Sequence, residues 1–240
     1  MPGPDQAHRI RVASYNVRGL KDDRTALVET IRSIAPDILL LQEVPRHPIS
    51  GHRIANFADE VGLTWFGGKR FQMSTTLMTS LRLDVLNATH GRLPVRVLDE
   101  PRGYGMATVR LPGHQPIVAG SLHLSLRGAD RPRQAKEFLA TATALRLPIV
   151  VGGDLNEEPS GSAWRYLGRE LHEVSGGDPT YSARQPHKRI DGIFASGLLP
   201  AVTPELSLSG NLLAAATDHL PVVVDLDVGD LAIEPSEESE

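Results

Sequence analysis

The stretch 148-PIVVGGDLNEEP-159 decides the fold, because a continuous apolar run passes directly into a polar segment. An uninterrupted run such as residues 149–151 is typical of a central strand covered on both faces, whereas a strand with one face in water alternates apolar and polar residues. Asp154 and Asn156 follow the run, and residues two apart lie on the same side of an extended chain. The stretch therefore predicts a buried strand whose end presents two polar side chains in one direction.

Two earlier segments have a similar form. The segment 37-DILLLQEV-44 is a second continuous apolar run, and it ends at Gln42 and Glu43. The segment 10-IRVASYNV-17 alternates apolar and polar residues and ends in Asn16. Both are predicted to be core strands that end in polar side chains.

Two helices are predicted between the strands. Residues 22–36 repeat apolar residues at helical spacing, begin with two Asp residues that can cap a helix, and end at Pro36. A second amphipathic helix follows Asp130, with Pro132 in its first turn. Many strands with fewer helices favour two stacked sheets with helices outside. Further strands are predicted at residues 75–79, 82–86, 106–111, 117–122, 190–195 and 222–226.

The composition limits the chemistry that the chain can perform. It has 240 residues and no cysteine, which excludes disulfides, a thiolate nucleophile and sulfur-ligated zinc. Any metal is therefore held by oxygen or nitrogen ligands, which suits hard cations such as magnesium. The sequence also lacks the G-x-S-x-G pattern of serine hydrolases and the G-x-x-x-x-G-K-[ST] pattern of P-loop enzymes.

Charge is distributed unevenly along the chain. The net charge is −4, but seven of the 29 acids lie in residues 225–240, which hold no Lys or Arg, so residues 1–224 carry 22 acids against 25 bases. The body of the protein is therefore mildly basic. Residues 229–240 are acidic and hold too little apolar surface to fold, so we expect a single domain over residues 1–228 and a disordered tail after it.

Targeting and membrane signals are absent from the sequence. The N-terminal segment has no apolar core of a signal peptide, and nowhere do the roughly 18 apolar residues of a membrane helix run together. We expect a cytoplasmic protein without a transmembrane segment. The sequence leaves the oligomeric state open.

Polar groups recur at the ends of six predicted strands. Each one alone has an ordinary structural explanation, such as a turn residue, a helix cap, a satisfied core histidine or a local ion pair. Their recurrence on six strands instead favours one shared active site. The last of them stand in 215-AATDHLPVVVDL-226, directly before a strand. The residues are Asn16, Gln42 with Glu43, His123, Asp154 with Asn156, Asp191, and Asp218 with His219.

In this order, the residues resemble the endonuclease/exonuclease/phosphatase superfamily, which includes DNase I, the exonuclease III type of apurinic endonuclease, inositol polyphosphate 5-phosphatases and sphingomyelinases. The resemblance runs from Arg11 to Asp225, and Thr217 stands where the family's last motif begins with serine. It implies an α/β four-layer sandwich, with two mixed β-sheets packed face to face and helices on the outside. It also implies an active site at one end of the sandwich.

The resemblance implies a metal site and a phosphate site. Glu43 is expected to bind a divalent metal, with Asn16 beside it and Asp218 contributing directly or through water. Such oxygen ligands suit Mg²⁺, for which Mn²⁺ is a possible substitute. His123 corresponds to the position where members place a His or Tyr against the phosphate, and Arg102 resembles an arginine found in some members before a central strand.

The resemblance also implies how water attacks. Asp154 corresponds to the residue that positions and deprotonates the attacking water, and Asn156 to the one that orients the water or a phosphate oxygen. His219 is expected to contact a non-bridging oxygen, while Asp191 holds its imidazole and favours the cationic form.

These roles predict a magnesium-dependent phosphoester hydrolase, with phosphodiester cleavage favoured and nucleic acid the largest substrate class. One alternative is a phosphatase or phospholipase C-type hydrolase that acts on inositol phosphates or sphingomyelin-like lipids. Another is an inactive ligand-binding member of the same fold, although such a protein would be expected to have lost one of the site residues.

Basic residues gather in the segments around the expected site. They either line a phosphate-rich ligand or are ordinary solvated loop charges. Trp65 and Phe66 are the only paired aromatics, too few to argue for a base-stacking platform. The basic residues are Arg18, Lys21, Arg46, His47, His52, Arg53, Lys69, Arg70, Arg127, Arg131, Arg133, Lys188 and Arg189.

Overall fold

The computed structural model describes residues 7–46, 50–66 and 74–233, which contain twelve strands and five helices. The residues His47, Lys69 and Arg70 lie outside these ranges. The elements are β1 (Arg9–Asn16), α1 (Arg24–Ile34), β2 (Ile38–Gln42), α2 (Ser50–Val61), β3 (Thr64–Trp65), β4 (Thr76–Thr79), β5 (Asp84–Leu93), β6 (Arg102–Arg110), β7 (Ile117–His123), α3 (Arg131–Thr143), β8 (Ile149–Asp154), α4 (Ser162–Glu170), β9 (His172–Glu173), β10 (Asp191–Ala195), β11 (Ala201–Val202), α5 (Gly210–Ala216) and β12 (Val222–Asp227).

The strands form two six-stranded mixed sheets. The first has the order β11-β12-β1-β2-β4-β3 and the second the order β5-β6-β7-β8-β10-β9. The pairs β1–β2 and β7–β8 are parallel and the remaining pairs are antiparallel. Register brings polar residues together at one end, because Asp154 is paired with His123 on one side and with Asp191 on the other.

Three apolar clusters explain the layering. The first lies between the sheets, where Val12 and Leu40 of the first sheet share a cluster with Val150 of the second. The second packs the outer face of the first sheet against α1 and α2, and the third packs the outer face of the second sheet against α3 and α4. Burying apolar surface on both faces of each sheet gives four layers. The predicted sandwich is confirmed.

Both predicted helices are confirmed, and their ends follow from local chemistry. The side chain of Asp23 accepts a hydrogen bond from the Ala26 amide (3.0 Å) and caps the start of α1. The helix ends at Ala35, which has a left-handed backbone (φ 50°) before Pro36. Pro132 stands in the first turn of α3, where its missing N–H costs nothing.

Some elements differ from those expected. The helices α2, α4 and α5 were not predicted. The strand predicted at residues 82–86 continues as β5 to Leu93, and the sequence did not indicate this because β5 is a solvent-exposed edge strand without clean alternation of apolar and polar residues. Gly229–Leu231 forms a 3-10 turn, and Leu231 packs into the cluster between the sheets, whereas residues 234–240 of the predicted tail lie outside the described residues. No helix in the described ranges combines the length and apolar character needed to cross a membrane.

Candidate active site

A cleft of about 490 Å³ opens at the end of the sandwich where β7 and β8 end and β10 begins. Seven of the nine predicted site residues line it, and the other two, Asn16 and Asp191, are buried and bonded to cleft residues. The seven are Glu43, Arg102, His123, Asp154, Asn156, Asp218 and His219.

Asp154 lies at the centre of the cluster. Its Oδ2 accepts a hydrogen bond from Asn16 Nδ2 (3.0 Å) and lies 3.5 Å from His123 Nε2 and 3.8 Å from His219 Nε2. Its Oδ1 accepts from the Asn156 amide (2.9 Å), which fixes the carboxylate plane. One carboxylate oxygen therefore faces Asn16, His123 and His219, while the other is held by the backbone.

Asn16 joins the two carboxylates that the two sheets bring together. The same Nδ2 group that contacts Asp154 also donates to Glu43 Oε1 (3.1 Å), while Oδ1 accepts from the Arg18 amide (3.1 Å). Glu43 follows β2 with a left-handed backbone (φ 53°), so the chain turns there and places its side chain in the cleft.

His219 is held by a buried carboxylate. Its Nδ1 donates to Asp191 Oδ2 at 2.9 Å, and the same oxygen accepts from the Thr180 hydroxyl at 2.6 Å. Burial alone lowers the pKa of His219, but the carboxylates of Asp191, Asp154 and Asp218 together outweigh it and raise the pKa to about 9. His219 is therefore a cation at neutral pH.

The pKa values of two other buried groups of the site, His123 and Asp154, are shifted in opposite directions. Burial lowers the pKa of His123 to about 4, and Arg102 and His219 add to that effect against the opposing carboxylate of Asp154. Burial and the neighbouring Asp191 raise the pKa of Asp154 above its ordinary value, against weaker effects of the two histidines. The site thus combines one neutral imidazole, one imidazolium and a carboxylate of increased basicity.

Three predicted residues occupy the rim of the cluster. Asn156 has a left-handed backbone (φ 52°) and its Nδ2 donates to Leu124 O (2.9 Å); among the described residues no donor reaches its Oδ1. Asp218 lines the cleft but lies in neither of the metal-competent groups, and its Oδ2 is 3.3 Å from Arg18 Nε. Arg102 is buried, and its Nη1 lies 3.0 Å from Glu100 Oε2.

The structure also brings in residues that the sequence did not single out. Thr180 orients Asp191, and the ring of Tyr181 lies 5.0 Å from the imidazole of His219. Glu100 lines the cleft beside Arg102. None of these three stands in a periodic segment whose pattern would identify it. Gln42, which was predicted with Glu43 at a polar strand end, does not line the cleft: it is fully buried between the sheets, where its amide donates to the hydroxyls of Ser14 and Ser121.

The donor set fits a hard divalent cation. Glu43, His123 and Asp154 offer ligand atoms that lie within 4.8 Å of one another. Within the described ranges the uncharged amide of Asn16 bridges the two carboxylates, so a cation there would relieve their mutual repulsion. Carboxylate oxygens with retained water are ligands that Mg²⁺ prefers, whereas Asn16 turns its Nδ2 toward the carboxylates and its Oδ1 toward the Arg18 amide.

One protein-family model matches the part of the sequence that contains all the predicted site residues. A model of the Endonuclease/Exonuclease/phosphatase family matches residues 13–219, a range that includes every predicted site residue. No curated protein matches the chain.

Solved structures share the fold at low sequence identity. The human Nocturnin catalytic domain with bound sulfate anion is 21% identical, with a TM-score of 0.70 over 91% of this chain and 94% of that one. An endonuclease/exonuclease/phosphatase from Beutenbergia cavernae is 23% identical, with a TM-score of 0.70 over 92% and 72% of the two chains. A mannosyl-6-phosphatase from Bacteroides thetaiotaomicron is 17% identical, with a TM-score of 0.72 over 90% and 99%.

Proposed function

The chain belongs to the endonuclease/exonuclease/phosphatase family of phosphoester hydrolases, and from this premise we propose that it cleaves its substrate by a divalent-metal-dependent attack of activated water. One observation carries the proposal. The Oδ2 atom of Asp154 lies beside Asn16, His123 and His219, so a proton acceptor, a neutral donor and a cation converge on one point of the cleft.

Asp154 is the group that we assign to the water. Its raised pKa makes it a better proton acceptor than an exposed aspartate, and a base is most effective when its pKa approaches the working pH. The Asn156 amide holds Oδ1 at 2.9 Å, which leaves Oδ2 to accept the proton. The unpartnered Oδ1 of Asn156 suits a second hydrogen bond from the same water.

His219 and His123 are assigned to the phosphate. In-line attack builds negative charge on the equatorial oxygens of phosphorus, and a fixed cation stabilises that charge. Asp191 keeps His219 protonated and oriented, so its Nε2 carries the N–H toward the cleft. His123 is neutral and donates one hydrogen bond without adding charge.

Glu43 is the residue that we propose as the main metal ligand, with Asn16 beside it and Asp218 reaching the ion directly or through water. Mg²⁺ bound there, or Mn²⁺ in its place, would polarise a phosphoryl oxygen as a Lewis acid. Asn16 has a second task in this chain, because its Nδ2 ties Glu43 to Asp154 and so fixes the metal ligand relative to the base.

Phosphodiesters of the nucleic-acid type are the substrates that we favour. The cleft continues past Glu43 and Arg102 into a neighbouring basic recess, which suits a substrate whose negative charge extends beyond the scissile phosphate.

A substrate panel in magnesium tests the proposal. Plasmid DNA, single strands, inositol phosphates, sphingomyelin and simple nitrophenyl esters are compared, each with and without chelator. We expect hydrolysis in magnesium, with the nucleic acids cleaved fastest. Preferred cleavage of inositol phosphates or sphingomyelin would replace the substrate class, and no cleavage of any compound would favour a binding protein.

A further inference from the structure

A second cleft of about 270 Å³ adjoins the candidate active site. The two clefts share Glu43, Glu100 and Arg102, so they meet at the proposed metal ligand. The basic residues of the second cleft come from four places in the fold: Lys21 follows a 3-10 turn, Arg46 follows β2, Arg53 lies on α2 and Arg102 opens β6.

This second cleft carries more positive charge than its own acids can neutralise. Lys21 and Arg53 are exposed, and within the described ranges neither has an ion pair or a side-chain hydrogen bond. Arg46 and Arg102 both contact one carboxylate, that of Glu100. The cleft therefore sets four positive charges against the single negative charge of Glu100, because Glu43 binds the metal in the proposed function.

The cleft on the opposite side of the site has no such excess of positive charge. It is lined by Arg18 and Arg184 against Asp22, Asp23 and Asp218. Arg18 is already paired with Asp22 (3.1 Å) and Asp218 (3.3 Å). An additional negative group of the substrate is therefore attracted more strongly to the side of Arg46 than to the side of Asp22.

We propose that the cleft of Lys21, Arg46, Arg53 and Arg102 binds a second phosphate of the substrate, a few bonds from the scissile one. This inference rests on the proposed function. The N–H groups of an arginine guanidinium match the geometry of phosphate oxygens. In this structure the guanidinium groups of Arg46 and Arg102 contact the carboxylate of Glu100, in the place where the phosphate would bind. Glu100 thus competes with the second phosphate and discriminates against weaker anions, so the substrates are nucleotide esters that carry two phosphates rather than one.

Matched substrates isolate the second phosphate. The first pair is the p-nitrophenyl ester of thymidine 3′-phosphate with and without a 5′-phosphate, and the second pair has the two positions exchanged. The scissile bond and the leaving group are the same within each pair. We expect the second phosphate, in one of the two pairs, to lower KM at least tenfold with kcat nearly unchanged, and this difference to shrink at high salt.

Variants assign that difference to the cleft. Arg53→Ala and Lys21→Ala should each remove most of it without changing KM for the monophosphate, whereas Arg184→Ala in the opposite cleft should leave it intact. Glu100→Gln should enlarge the preference, because it removes the competing carboxylate. A purely structural role for these residues would not produce a gain. Equal KM values within both pairs, measured on an enzyme that does hydrolyse them, would overturn the inference and leave the proposed function standing.

A binding measurement decides the matter if none of these esters is hydrolysed. Adenosine 3′,5′-bisphosphate, adenosine 3′-monophosphate and adenosine 5′-monophosphate are titrated calorimetrically into the magnesium-loaded protein. We expect the bisphosphate to bind at least tenfold more tightly than either monophosphate, and Arg53→Ala to abolish that advantage. Equal affinities would overturn the second-phosphate site.

Discussion

Replacing Asp191 with Asn should lower the pKa of the His219 imidazole by more than one unit, from about 9 toward or below the ordinary value of 6.5. The carboxylate accepts the Nδ1 proton at 2.9 Å in a buried position, and its removal leaves the burial that disfavours the cation. The difference between 9 and 6.5 is worth about 3 kcal/mol in favour of the imidazolium, since one pKa unit is worth roughly 1.4 kcal/mol.

The sign of the effect on stability follows from the direction of the pKa. Because the folded-state pKa lies above the unfolded value, the interaction contributes its full stabilisation below about pH 6.5 and loses it as the pH rises through about 9. At pH 7.5 roughly nine-tenths or more of His219 is charged in the parent, against about one-tenth for an imidazole of ordinary pKa.

The assay is an NMR titration of the histidine rings in chelator-treated, metal-free protein. Asp84→Asn, which removes a remote carboxylate paired with Arg110, is the control and should leave the titration of His219 unchanged. A parent imidazole that titrates near 6.5, or one that stays near 9 in Asp191→Asn, would refute the assignment of Asp191 as the group that charges His219.

Three further predictions follow from the site and the fold. His219→Ala and Asp191→Ala should each lower kcat by several orders of magnitude while the double variant costs little more than the worse single one, because the pair acts as a unit; losses that multiply would separate the two residues. Glu43→Gln should raise the magnesium concentration needed for half-maximal activity while Mn²⁺ still rescues chelated enzyme better than Ca²⁺, and an unchanged titration would remove Glu43 from the metal site. Truncation after Val228 should lower the free energy of unfolding in urea by about 2 kcal/mol through loss of buried Leu231, whereas truncation after Ile233 should not; equal stabilities would contradict the packing of Leu231.

The central strands could be predicted because their signal is local. A continuous apolar run that passes directly into Asp154, or into Gln42 and Glu43, specifies both a buried strand and a polar end. Parallel neighbours end at the same edge of a sheet, whereas an antiparallel neighbour begins there, so polar groups that follow β8 and that open β10 meet at one edge once the strands are paired. Register then completes the arrangement by pairing Asp154 with His123 and Asp191.

The parts that could not be predicted depend on loops that return to the site. Thr180 lies beside Asp191 because the backbone amides of Thr180 and Tyr181 donate hydrogen bonds to the carbonyl of Lys188 and so bring the two segments together. No periodicity in the sequence of that segment indicates this pairing. Similarly, Gln42 and Glu43 are adjacent in sequence, yet the left-handed backbone of Glu43 turns its side chain into the cleft while Gln42 stays between the sheets.

The packing of Leu231 could not be predicted for a related reason. An acidic segment with one leucine looks unable to fold by composition, but Leu231 fills a space between the sheets that only the assembled core defines. The contact of Arg46 with Glu100 is of the same kind, because it joins two segments that are distant in the sequence.

Steady-state hydrolysis by Asp154→Asn tests the central claim most directly, measured on the best substrate of the panel in magnesium and in chelator, with Asp84→Asn as the matched control. The substitution keeps the size of the side chain and removes the proton acceptor. We predict that kcat falls by at least ~10²-fold in Asp154→Asn while KM changes little, as expected for the loss of a general base. The control and the parent should be equally active in magnesium and inactive in chelator. Turnover of Asp154→Asn within a few-fold of the parent, or full parental activity with metal verified absent, would contradict the account.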